Sequence, residues 1–346
     1  MLTQTRPITT LLDGARVLAG AAIDRDDGAT ESLPVDGRSA SRTRPLDALL
    51  KQCERLAPLP TAVVYPGSEP ALRAAVAAAQ AGLIVPVLVG PARQIRALAA
   101  VHGLDVSRCR LVDVEHAKDA AEAAVRLARD GEVGALMKGS LHTDELMGAV
   151  VRRDGSLRTA ARISHVFVMQ VPTYARTLLI TDAAINISPS LEDKVHIVQN
   201  AIHLAQALGV ATPKVAILSA VETLNPRIPS TLEAAVLCKM AERGQITGGV
   251  LDGPLALDNA ISAEAARTKG IVSPVAGHAD ILLVPDLVAG NLLAKQLAFL
   301  ANADAAGIVL GAKVPVMLGS RADSLRSRLA SCAVAVLLAE ARRAAA

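Results

Sequence analysis

The sequence has almost no aromatic side chains. Its 346 residues include no Trp, two Phe (Phe167 and Phe299) and two Tyr (Tyr65 and Tyr174). Because 51% of the chain is nevertheless hydrophobic, the core must be built from Ala, Leu and Val. Nucleic-acid binding by base stacking needs aromatic platforms, and a net charge of +3 is small for a protein that reads a phosphate backbone. We therefore expect no nucleic-acid partner.

Cysteine is scarce as well. The four cysteines lie far apart, with no Cys-x-x-Cys pair and no Cys/His cluster at the spacing of metal ligands; they are Cys53, Cys109, Cys238 and Cys332. Dispersed thiols of this kind are typical of reduced, mostly buried residues in a cytoplasmic protein. We therefore predict a cytoplasmic location and no metal site.

Charge is missing from residues 74–92, a stretch nearly long enough to span a membrane. Gly82 and Pro86 divide it into the end of an Ala-rich helix, a turn and a short strand, so we expect no membrane-spanning segment. Asp13 and Arg16 interrupt the only apolar run near the amino terminus, which argues against a signal peptide.

Short apolar runs alternate with helical patterns from about residue 46 onwards. Residues 1–45 are instead polar and have no sustained period, so we expect a flexible extension there. The alternation predicts an α/β fold, with a mostly parallel sheet and helices on both faces. Strands are predicted over 61–67, 83–90, 109–115, 133–139, 166–171, 176–182, 214–220, 248–253, 280–286, 306–311 and 315–319, and helices over 71–81 and 117–130.

Two later helices carry start signals. Ser190 with Asp193 forms a Ser-x-x-Asp motif, and Ser230 with Glu233 repeats the device. Gly244 is predicted to end the second of these helices.

Polar motifs follow many of the predicted strands. In open parallel sheets, ligands gather at the carboxyl ends of the strands, where loops and helix N-termini present backbone donors. We therefore expect the functional site at that edge of the sheet. The motifs span residues 138–143, 181–190, 222–230, 252–262, 285–291 and 319–324.

The segment "ALMKGSLHT", residues 135–143, has two interpretations. In the first, amides after Gly139 open a helix whose dipole favours negative charge, and Lys138 adds a full positive charge, so the segment binds an anion. In the second, it is an ordinary helix start capped by Thr143. The residues alone do not decide between them, although the nucleotide-binding pattern Gly-x-x-x-x-Gly-Lys-Ser/Thr is absent.

Ser164 and His165 lie at the start of a predicted strand, six residues after Arg158. Adjacent strand residues point to opposite faces, which disfavours a nucleophile–base pair; ligand positioning or a strand-end hydrogen bond fits the pair better. Asp182 and Asn186 follow the next strand, where they either line a cleft or serve as ordinary turn residues.

The segment "GSRADS", residues 319–324, joins a strand to the carboxyl-terminal helix. Ser320 is a hydroxyl donor, Arg321 a bidentate clamp for phosphate or carboxylate, and Asp323 a possible general base. Alternatively, Ser320 caps the helix and Asp323 complements its dipole.

In their order along the chain, these motifs resemble the phosphate acetyl/butyryltransferase family. The resemblance runs from about residue 60 to the carboxyl terminus and is carried by "LMKGSLHT", "LRTAARISHVFVM", "LLITDAAINISPSLEDKVHIVQNA", "AILSAVETLNPRIPST", "LDGPLALDNAIS", "AGHADILLVPDLVAGNLLAK" and "PVMLGSRADS". "NPRIPST" and "GPLALDNAIS" look more like the butyryl branch than the acetyl branch. The implied reaction is acyl-CoA + phosphate ⇌ acyl phosphate + CoA.

The resemblance also implies a fold and an assembly. The family's fold is similar to that of the isocitrate and isopropylmalate dehydrogenases, with two α/β domains that share a cleft. By this resemblance residues 46–155 and 305–346 form the first domain and residues 156–304 the second. A homodimer or higher homo-oligomer is expected, with acyl-CoA and inorganic phosphate as its ligands.

Roles follow from the same resemblance. Ser320 would stabilise the tetrahedral centre, Arg321 would hold phosphate or CoA, and Asp323 would be the base. Direct transfer in a ternary complex needs no metal and no permanently bound cofactor, because CoA is itself a substrate or product. The candidate substrate-binding residues are Lys138, Ser140, Thr143, Arg158, Ser164, His165, Asp182, Asn186 and Asn291.

Two positions depart from the family pattern. In acetyl-branch enzymes the catalytic Asp lies a helix turn or more beyond the Ser-Arg pair, a position held here by Ser327. Gly148 stands where the family often has an arginine, so Arg158 or Arg162 would take over phosphate binding.

Two other functions compete with acyl transfer. A catalytically altered family member would bind acyl-CoA or acyl phosphate as a sensor or assembly partner. A metal-dependent decarboxylating dehydrogenase on the same fold is disfavoured, because the sequence has no Asp cluster at helical spacing and no Gly-x-Gly-x-x-Gly.

Overall fold

The computed structural model of the chain describes residues 45–152, 157–320 and 322–345. They belong to one of the two units into which the chain divides, residues 43–346. The extension predicted over residues 1–45 lies outside the described residues, except for Pro45, which begins the first helix. Arg321 also lies outside them. No helix of the described ranges is long and apolar enough to cross a membrane.

Eleven strands form within the described residues, and each overlaps an apolar run that was predicted to be a strand. Several of them, such as the buried run over residues 135–138, are apolar at nearly every position because helices cover both faces of the sheet. The strands are β1 (Leu59–Val64), β2 (Ile84–Gly90), β3 (Arg110–Asp113), β4 (Ala135–Lys138), β5 (Ser164–Gln170), β6 (Leu178–Thr181), β7 (Lys214–Leu218), β8 (Val250–Leu255), β9 (Ile281–Leu283), β10 (Asp304–Leu310) and β11 (Val316–Met317).

The helices fill the predicted gaps between these strands and add several that the sequence pattern did not predict. They are α1 (Pro45–Cys53), α2 (Glu69–Gln80), α3 (Ala92–Val101), α4 (Ala117–Arg129), α5 (Thr143–Val151), α6 (Leu191–Ala207), α7 (Pro229–Glu242), α8 (Leu257–Ile261), α9 (Ala263–Thr268), α10 (Leu287–Leu300) and α11 (Leu325–Ala345).

One of the two predicted helix starts is confirmed. Ser190 caps α6, and its hydroxyl accepts a hydrogen bond from the amide of Asp193 at 3.1 Å. The start at Ser230 is wrong by two residues, because Ile228 is the N-cap residue of this helix. Helix α7 begins at Pro229 because proline needs no amide partner at the first helical position. The predicted end holds, since Gly244 follows this helix with φ of 74°.

All eleven strands pair in one sheet, in the order β3-β2-β1-β4-β11-β10-β5-β6-β9-β7-β8. Strands from residues 59–138 and 304–317 form one half of the sheet, and strands from residues 164–283 form the other. The pairs are parallel except for the three that involve β10 or β5, so the sheet is mostly parallel, as predicted.

The antiparallel pairs make the strands run in two directions. Strands β1, β4 and β11 run in one direction and β6, β9 and β7 in the other, yet the register through Ile308 and Val166 places Met317 level with Thr181, so the carboxyl ends of β11 and β6 lie at the same level. The segments that follow β11 and β6 therefore approach each other from opposite directions, and polar motifs from both halves of the sheet can still meet at one site.

Aliphatic side chains cover both faces of the sheet. On one face, α2, α6 and α11 pack over a core that includes Met137 and Met317. On the other, α4 and α5 cover a cluster that includes Leu136 and Leu318, and α8 to α10 cover another. Since side chains alternate along a strand, Lys138 points to the same face as Leu136.

Candidate functional site

Lys138 and the "GSRADS" segment meet at one edge of the sheet. Strand β4 lies between β1 and β11, with Lys138 beside Val64 and Met137 beside Met317. The parallel register therefore brings Leu318, the residue after β11, level with Lys138. Lys138 is only 8% exposed. Two motifs that are 180 residues apart in sequence thus become neighbours.

The amides that follow Lys138 have partners within the protein. The N–H groups of Gly139 and Ser140 donate to the carbonyl oxygens of Val64 and Tyr65 at 2.9 and 2.8 Å. Gly139 is needed here, because a Cβ atom at this position would lie 2.4 Å from the Val64 oxygen. The amides of Gly139 and Ser140 are therefore occupied within the protein, and Lys138 gives this segment a full positive charge.

Ser140 contacts a serine that the sequence did not single out. Its hydroxyl donates to the hydroxyl of Ser68 at 2.9 Å. Ser68 precedes α2 as its N-cap residue but makes no capping hydrogen bond with its side chain. The sequence gives only a weak indication that Ser68 belongs to a site: it follows Gly67 directly after a predicted strand and precedes Glu69 and Pro70. The structure therefore adds a hydroxyl to the vicinity of Lys138.

Helix α5 begins one residue earlier than a Thr143 cap would require. His142 is the N-cap residue, and its amide donates to the Glu145 carboxylate at 2.9 Å. Thr143 is thus the first residue of the helix, and the prediction that it caps α5 is wrong. Its hydroxyl is not needed to cap the helix.

A tight turn links β11 to α11. The Ser320 amide donates to Oδ2 of Asp323 at 2.7 Å, and the Asp323 amide donates to the Ser320 carbonyl at 3.2 Å. Gly319 permits this close approach, since a Cβ atom there would lie 2.8 Å from Oδ2 of Asp323. The turn therefore places an exposed hydroxyl beside a half-buried carboxylate.

Ser324, rather than Ser320, serves as the cap of α11. The Ser324 hydroxyl accepts from the Ser327 amide at 3.1 Å, and the helix begins at Leu325. The alternative in which Ser320 caps this helix is therefore wrong. Among the described residues, the Ser320 hydroxyl accepts a long hydrogen bond from the Ala322 amide, at 3.3 Å, and donates none.

The environment of Asp323 suits a proton acceptor. Burial raises the pKa of its carboxyl group above the ordinary value, while the Ser320 N–H and the charges of Arg328 and Lys138 act in the opposite direction. A carboxylate with a raised pKa is a better base than an exposed one. The effect of Lys138 on this pKa shows that its charge and the Asp323 carboxylate interact electrostatically at the ends of β4 and β11.

Arg328 closes the turn from the first part of α11. Its Nη2 donates to the Ser320 carbonyl at 3.0 Å, and its Nε is 3.3 Å from the Asp323 carbonyl. The sequence analysis missed this residue, because an arginine in the second turn of a helix carries no motif signal. The guanidinium joins both ends of the segment that holds Ser320 and Asp323.

A cavity of about 520 Å³ opens beside this edge of the sheet. The start of α5 and the first half of α10 line it, together with the end of β11 and the segment after β6. Two predicted site residues, Thr143 and Asn291, lie on its walls. The lining residues are Thr143, Ala184, Leu287, Val288, Asn291, Leu292 and Leu318.

Asp182 and Asn186 are buried and order the segment after β6. The Asp182 carboxylate accepts hydrogen bonds from the amides of Ala184, Ile185 and Asn186, and from Nδ2 of Asn186 at 2.6 Å. Nδ2 of Asn291 donates to the Ala183 carbonyl at 3.2 Å. This network fixes Ala184, which lines the cavity.

His165 lies in the sheet beneath this segment with its imidazole fully buried. Neither ring nitrogen has a hydrogen-bond partner among the described residues. Burial lowers the pKa of His165 to about 4, although the nearby Asp182 charge and the neighbouring Leu318 main chain act in the opposite direction. The imidazole is therefore neutral at physiological pH.

The remaining predicted site residues lie elsewhere. Ser164 is fully buried, and its hydroxyl accepts a hydrogen bond from Asn200 at 2.9 Å. Arg158 pairs through its main chain with Ala312, in the connection between β10 and β11. That connection is at the sheet edge opposite Lys138, so the structure does not bring Arg158 or Ser164 to the cavity.

Ser327 and Gly148 are the two positions that depart from the family pattern. Ser327 is 9% exposed, and its hydroxyl lies 3.1 Å from that of Ser324, so it is part of the helix start. Gly148 faces open space: among the described residues, no atom beyond its own turn of helix lies within 4 Å of the point that a Cβ atom would occupy.

Comparison with known proteins points to one family. A family model described as "Phosphate acetyl/butaryl transferase" matches residues 115–336. The phosphate acetyltransferase of Rhizobium meliloti is 63% identical over 299 residues, which cover 86% of this chain and 95% of the relative. The phosphate butyryltransferase of Clostridium acetobutylicum is 42% identical over 278 residues, which cover 80% and 92%.

Solved structures agree with these similarities. A branched-chain phosphotransacylase from Enterococcus faecalis is similar with a TM-score of 0.71 and 31% identity, covering 81% of this chain and 99% of that one. A 4-hydroxythreonine-4-phosphate dehydrogenase from Klebsiella pneumoniae has a TM-score of 0.50 at 14% identity, covering 82% and 98%. The second similarity concerns the fold alone, and it agrees with the predicted dehydrogenase-like architecture.

Proposed function

The chain belongs to the phosphate acetyl/butyryl transferase family and moves a short acyl group between CoA and inorganic phosphate, and we propose that it does so at the edge formed by Lys138, Ser320 and Asp323. The observation that carries this proposal is the register of β4 and β11, which sets a buried cation beside an exposed hydroxyl and a half-buried carboxylate.

Asp323 is the proposed base. In the direction that consumes acyl phosphate, its carboxylate takes the proton of the CoA thiol. The thiolate then attacks the carbonyl carbon, and the carbonyl π electrons move to the oxygen. Partial burial of Asp323 raises the pKa of its carboxyl group, which makes the carboxylate a stronger base for this step.

Ser320 is the proposed donor to the developing oxyanion. Its hydroxyl is exposed and donates to no other described residue. Hydrogen-bond donors fixed at the position of developing charge lower the barrier to acyl transfer. When the tetrahedral intermediate collapses, the bond between the carbonyl carbon and the phosphate oxygen breaks, and phosphate leaves with its electron pair.

Lys138 and Arg321 are the proposed phosphate ligands. Lys138 interacts electrostatically with Asp323, which is two residues after Arg321 in the sequence. The hydroxyls of Ser68 and Ser140, which are hydrogen-bonded to each other, add donors near the same strand ends. Charge-assisted hydrogen bonds from a lysine and an arginine suit a phosphate dianion.

The cavity beside the turn is the proposed site of the acyl group and the adjoining arm of CoA. Its walls are mostly apolar, with Leu287, Val288 and Leu292 on one side and Leu318 at the base, while Thr143 and Asn291 contribute polar groups. Transfer is proposed to be direct, in a ternary complex, without a covalent enzyme intermediate. The buried residues Asp182, Asn186 and His165 support the cavity rather than contact the ligand.

The two halves of the sheet support the proposal of two domains that share this cleft. Strands from residues 46–155 and 305–346 lie together, as do those from residues 156–304. A cytoplasmic location is proposed as well, and the four cysteines, which are all free, are consistent with it.

A homodimer is proposed to form through the outer face of α10. Phe299 and Leu300 at the end of this helix are 70% and 78% exposed, and exposed apolar side chains that lie together mark interaction surfaces. Light scattering of the wild type and of Phe299→Asp tests this: the wild type should have the mass of a dimer and the variant that of a monomer.

The experiment that tests the function measures thiol release from acetyl-, propionyl- and butyryl-CoA, with and without inorganic phosphate. We expect phosphate-dependent release, and the ratio of kcat/KM values across the three substrates gives the acyl preference. Release without phosphate would indicate a thioesterase. No release from any of the three would leave only the alternative of a catalytically altered family member that binds acyl-CoA.

A further inference from the structure

A second cavity, of about 440 Å³, lies between α6 and α11. It is separate from the proposed catalytic edge. Its lining residues are Asn200, His203, Gln206, Ala207, Leu310, Leu338, Ala341, Arg342 and Ala345. Leu310 is the last residue of β10, whereas Leu318, at the catalytic edge, hydrogen-bonds with Gly307 three residues earlier in the same strand. A volume of this size suits a small molecule.

Arg342 is a half-buried cation without an acidic partner in the described part of the chain. One of its amino groups, Nη1, is 3.3 Å from the carbonyl oxygens of Ala312 and Lys313, and it forms no salt bridge there. Burial lowers the pKa of Arg342, with no opposing carboxylate. A partly desolvated guanidinium normally has an anion to offset the cost of leaving water.

His203 adds a second basic group to the rim of this cavity. Its Nε2 lies 3.0 Å from the side-chain nitrogen of Gln199, which also donates to the Thr247 carbonyl, so Nε2 accepts and the imidazole is neutral. Partial burial lowers the pKa of His203, and the Arg342 charge lowers it further. Among the described residues no Asp or Glu lines the cavity, so an anion bound beside Arg342 would interact favourably with both groups.

Much of the cavity lining is aliphatic. Leu310 and Leu338 are 2% and 4% exposed, and Ala207 and Ala341 complete this part of the lining. These side chains offer contacts to an apolar body, while Arg342 offers a fork of N–H donors to an acidic head. The cavity therefore offers contacts to both parts of an amphipathic small molecule.

We propose that this cavity binds a small organic anion, with a carboxylate or phosphate head on Arg342 and a short aliphatic body against Leu310 and Leu338. The site lies at the end of α11 farthest from the proposed catalytic turn. Since α11 has 21 residues, its two ends are about 30 Å apart at 1.5 Å per residue. The ligand is therefore a molecule other than the acyl group in transfer.

The test is calorimetric titration of the full chain with butyrate, hexanoate and butyl phosphate. The two carboxylates test the effect of a longer aliphatic body, and butyl phosphate distinguishes the two head groups. We expect binding of at least one head-group class, with hexanoate tighter than butyrate. No heat with any of the three at millimolar concentration overturns the proposal.

Variants separate this site from the catalytic one. Arg342→Met should weaken binding about tenfold or more, as expected for loss of a charge-assisted hydrogen bond. Arg343→Met is the matched control, because Arg343 is the next residue and pairs with Glu340 on the surface; it should bind like the wild type. Asp323→Asn should also bind like the wild type, whereas loss of binding in Asp323→Asn would place the ligand at the catalytic edge and overturn the proposal.

A second variant guards against misfolding of Arg342→Met. Ala341→Leu places a larger side chain in the cavity and leaves Arg342 intact, so it should also abolish binding while phosphate-dependent thiol release is retained. Unchanged binding in both Arg342→Met and Ala341→Leu would contradict the assignment, whether or not the chain catalyses acyl transfer.

Discussion

Arg328 holds Ser320 by its main chain: the guanidinium Nη2 donates to the Ser320 carbonyl oxygen at 3.0 Å. The same side chain reaches the Asp323 carbonyl through Nε at 3.3 Å. One side chain therefore fixes both ends of the turn that carries the proposed donor and the proposed base. Arg328 acts on the reaction through these residues and is a positioning residue.

Replacing Arg328 with Met should lower kcat about tenfold or more and leave the KM for acyl-CoA nearly unchanged, because pre-organisation of catalytic groups is lost. The acid limb of the pH–rate profile should move to higher pH, since the Arg328 charge lowers the pKa of Asp323. Steady-state kinetics across pH measure both effects. Arg328→Lys keeps the charge but not the two-pronged contact, so it should lower kcat with no shift of the limb. If Arg328 had only a structural role, neither kcat nor the acid limb would change in the folded variants.

Asp323→Asn should lower kcat by a factor of about 10² to 10⁴, the usual contribution of a general base. The Asn side-chain oxygen can still accept from the Ser320 amide, so the midpoint of thermal unfolding should change little. Phosphate-dependent thiol release and a melting curve on the same preparation measure the two effects. A variant with wild-type turnover would show that the base lies elsewhere.

Lys138→Met should raise the KM for phosphate and move the acid limb of the pH–rate profile to higher pH. The positive charge of Lys138 stabilises the Asp323 carboxylate and lowers its pKa. Removal of Lys138 therefore raises that pKa. As the pH is lowered, the variant should lose activity at a higher pH than the wild type does. A lower or unchanged limb would indicate that Asp323 does not control the acid limb.

Lys138 and Ser320 could be predicted as site residues because polar groups that directly follow buried strands carry a local signal. Their proximity could not be predicted from that signal, because β4 and β11 pair across 180 residues and no sequence period encodes that pairing. Ser68 and Arg328 were missed for the same reason: each acquires a role only through a distant partner or a turn geometry. The antiparallel β10 and β5 are apolar runs like the others, so the reversal of strand direction was invisible.

Gly139→Ala should prevent stable folding or lower the free energy of unfolding by several kcal/mol. A Cβ atom at Gly139 would lie 2.4 Å from the Val64 carbonyl and 2.5 Å from that of Tyr65, and neither backbone can yield without losing the β1–β4 ladder. Gly148→Ala is the matched control: it lies within α5 with open space around it, and alanine there should add about 0.5–1 kcal/mol of stability. Urea unfolding of both variants measures the difference, and equal effects would contradict the packing at Gly139.

His165 should make the protein less stable in mild acid. Its pKa is lowered from 6.5 to about 4 in the folded chain, so the unfolded state binds the proton first as pH falls. The neutral imidazole therefore contributes stability that is fully present above pH 6.5 and is lost as pH falls towards 4, by about 3 kcal/mol at most. Urea unfolding at pH 7.5 and pH 5 measures the loss. His165→Leu, which removes the two unpartnered nitrogens, should reduce the difference; an equal difference in the variant would assign it to other groups.

The place of β11 in the sheet bears on when the protein can become active during synthesis. Before residues 316–317 leave the ribosome, β4 has only β1 as a neighbour, and one edge of the growing sheet is open. Lys138 is made early and lies beside an unpaired strand edge until the last tenth of the chain supplies β11, Ser320 and Asp323 together with α11. A nascent chain that stops short of residue 315 can therefore contain β1 to β4 and still lack the proposed site, so catalytic competence depends on the synthesis of β11 and the turn that follows it.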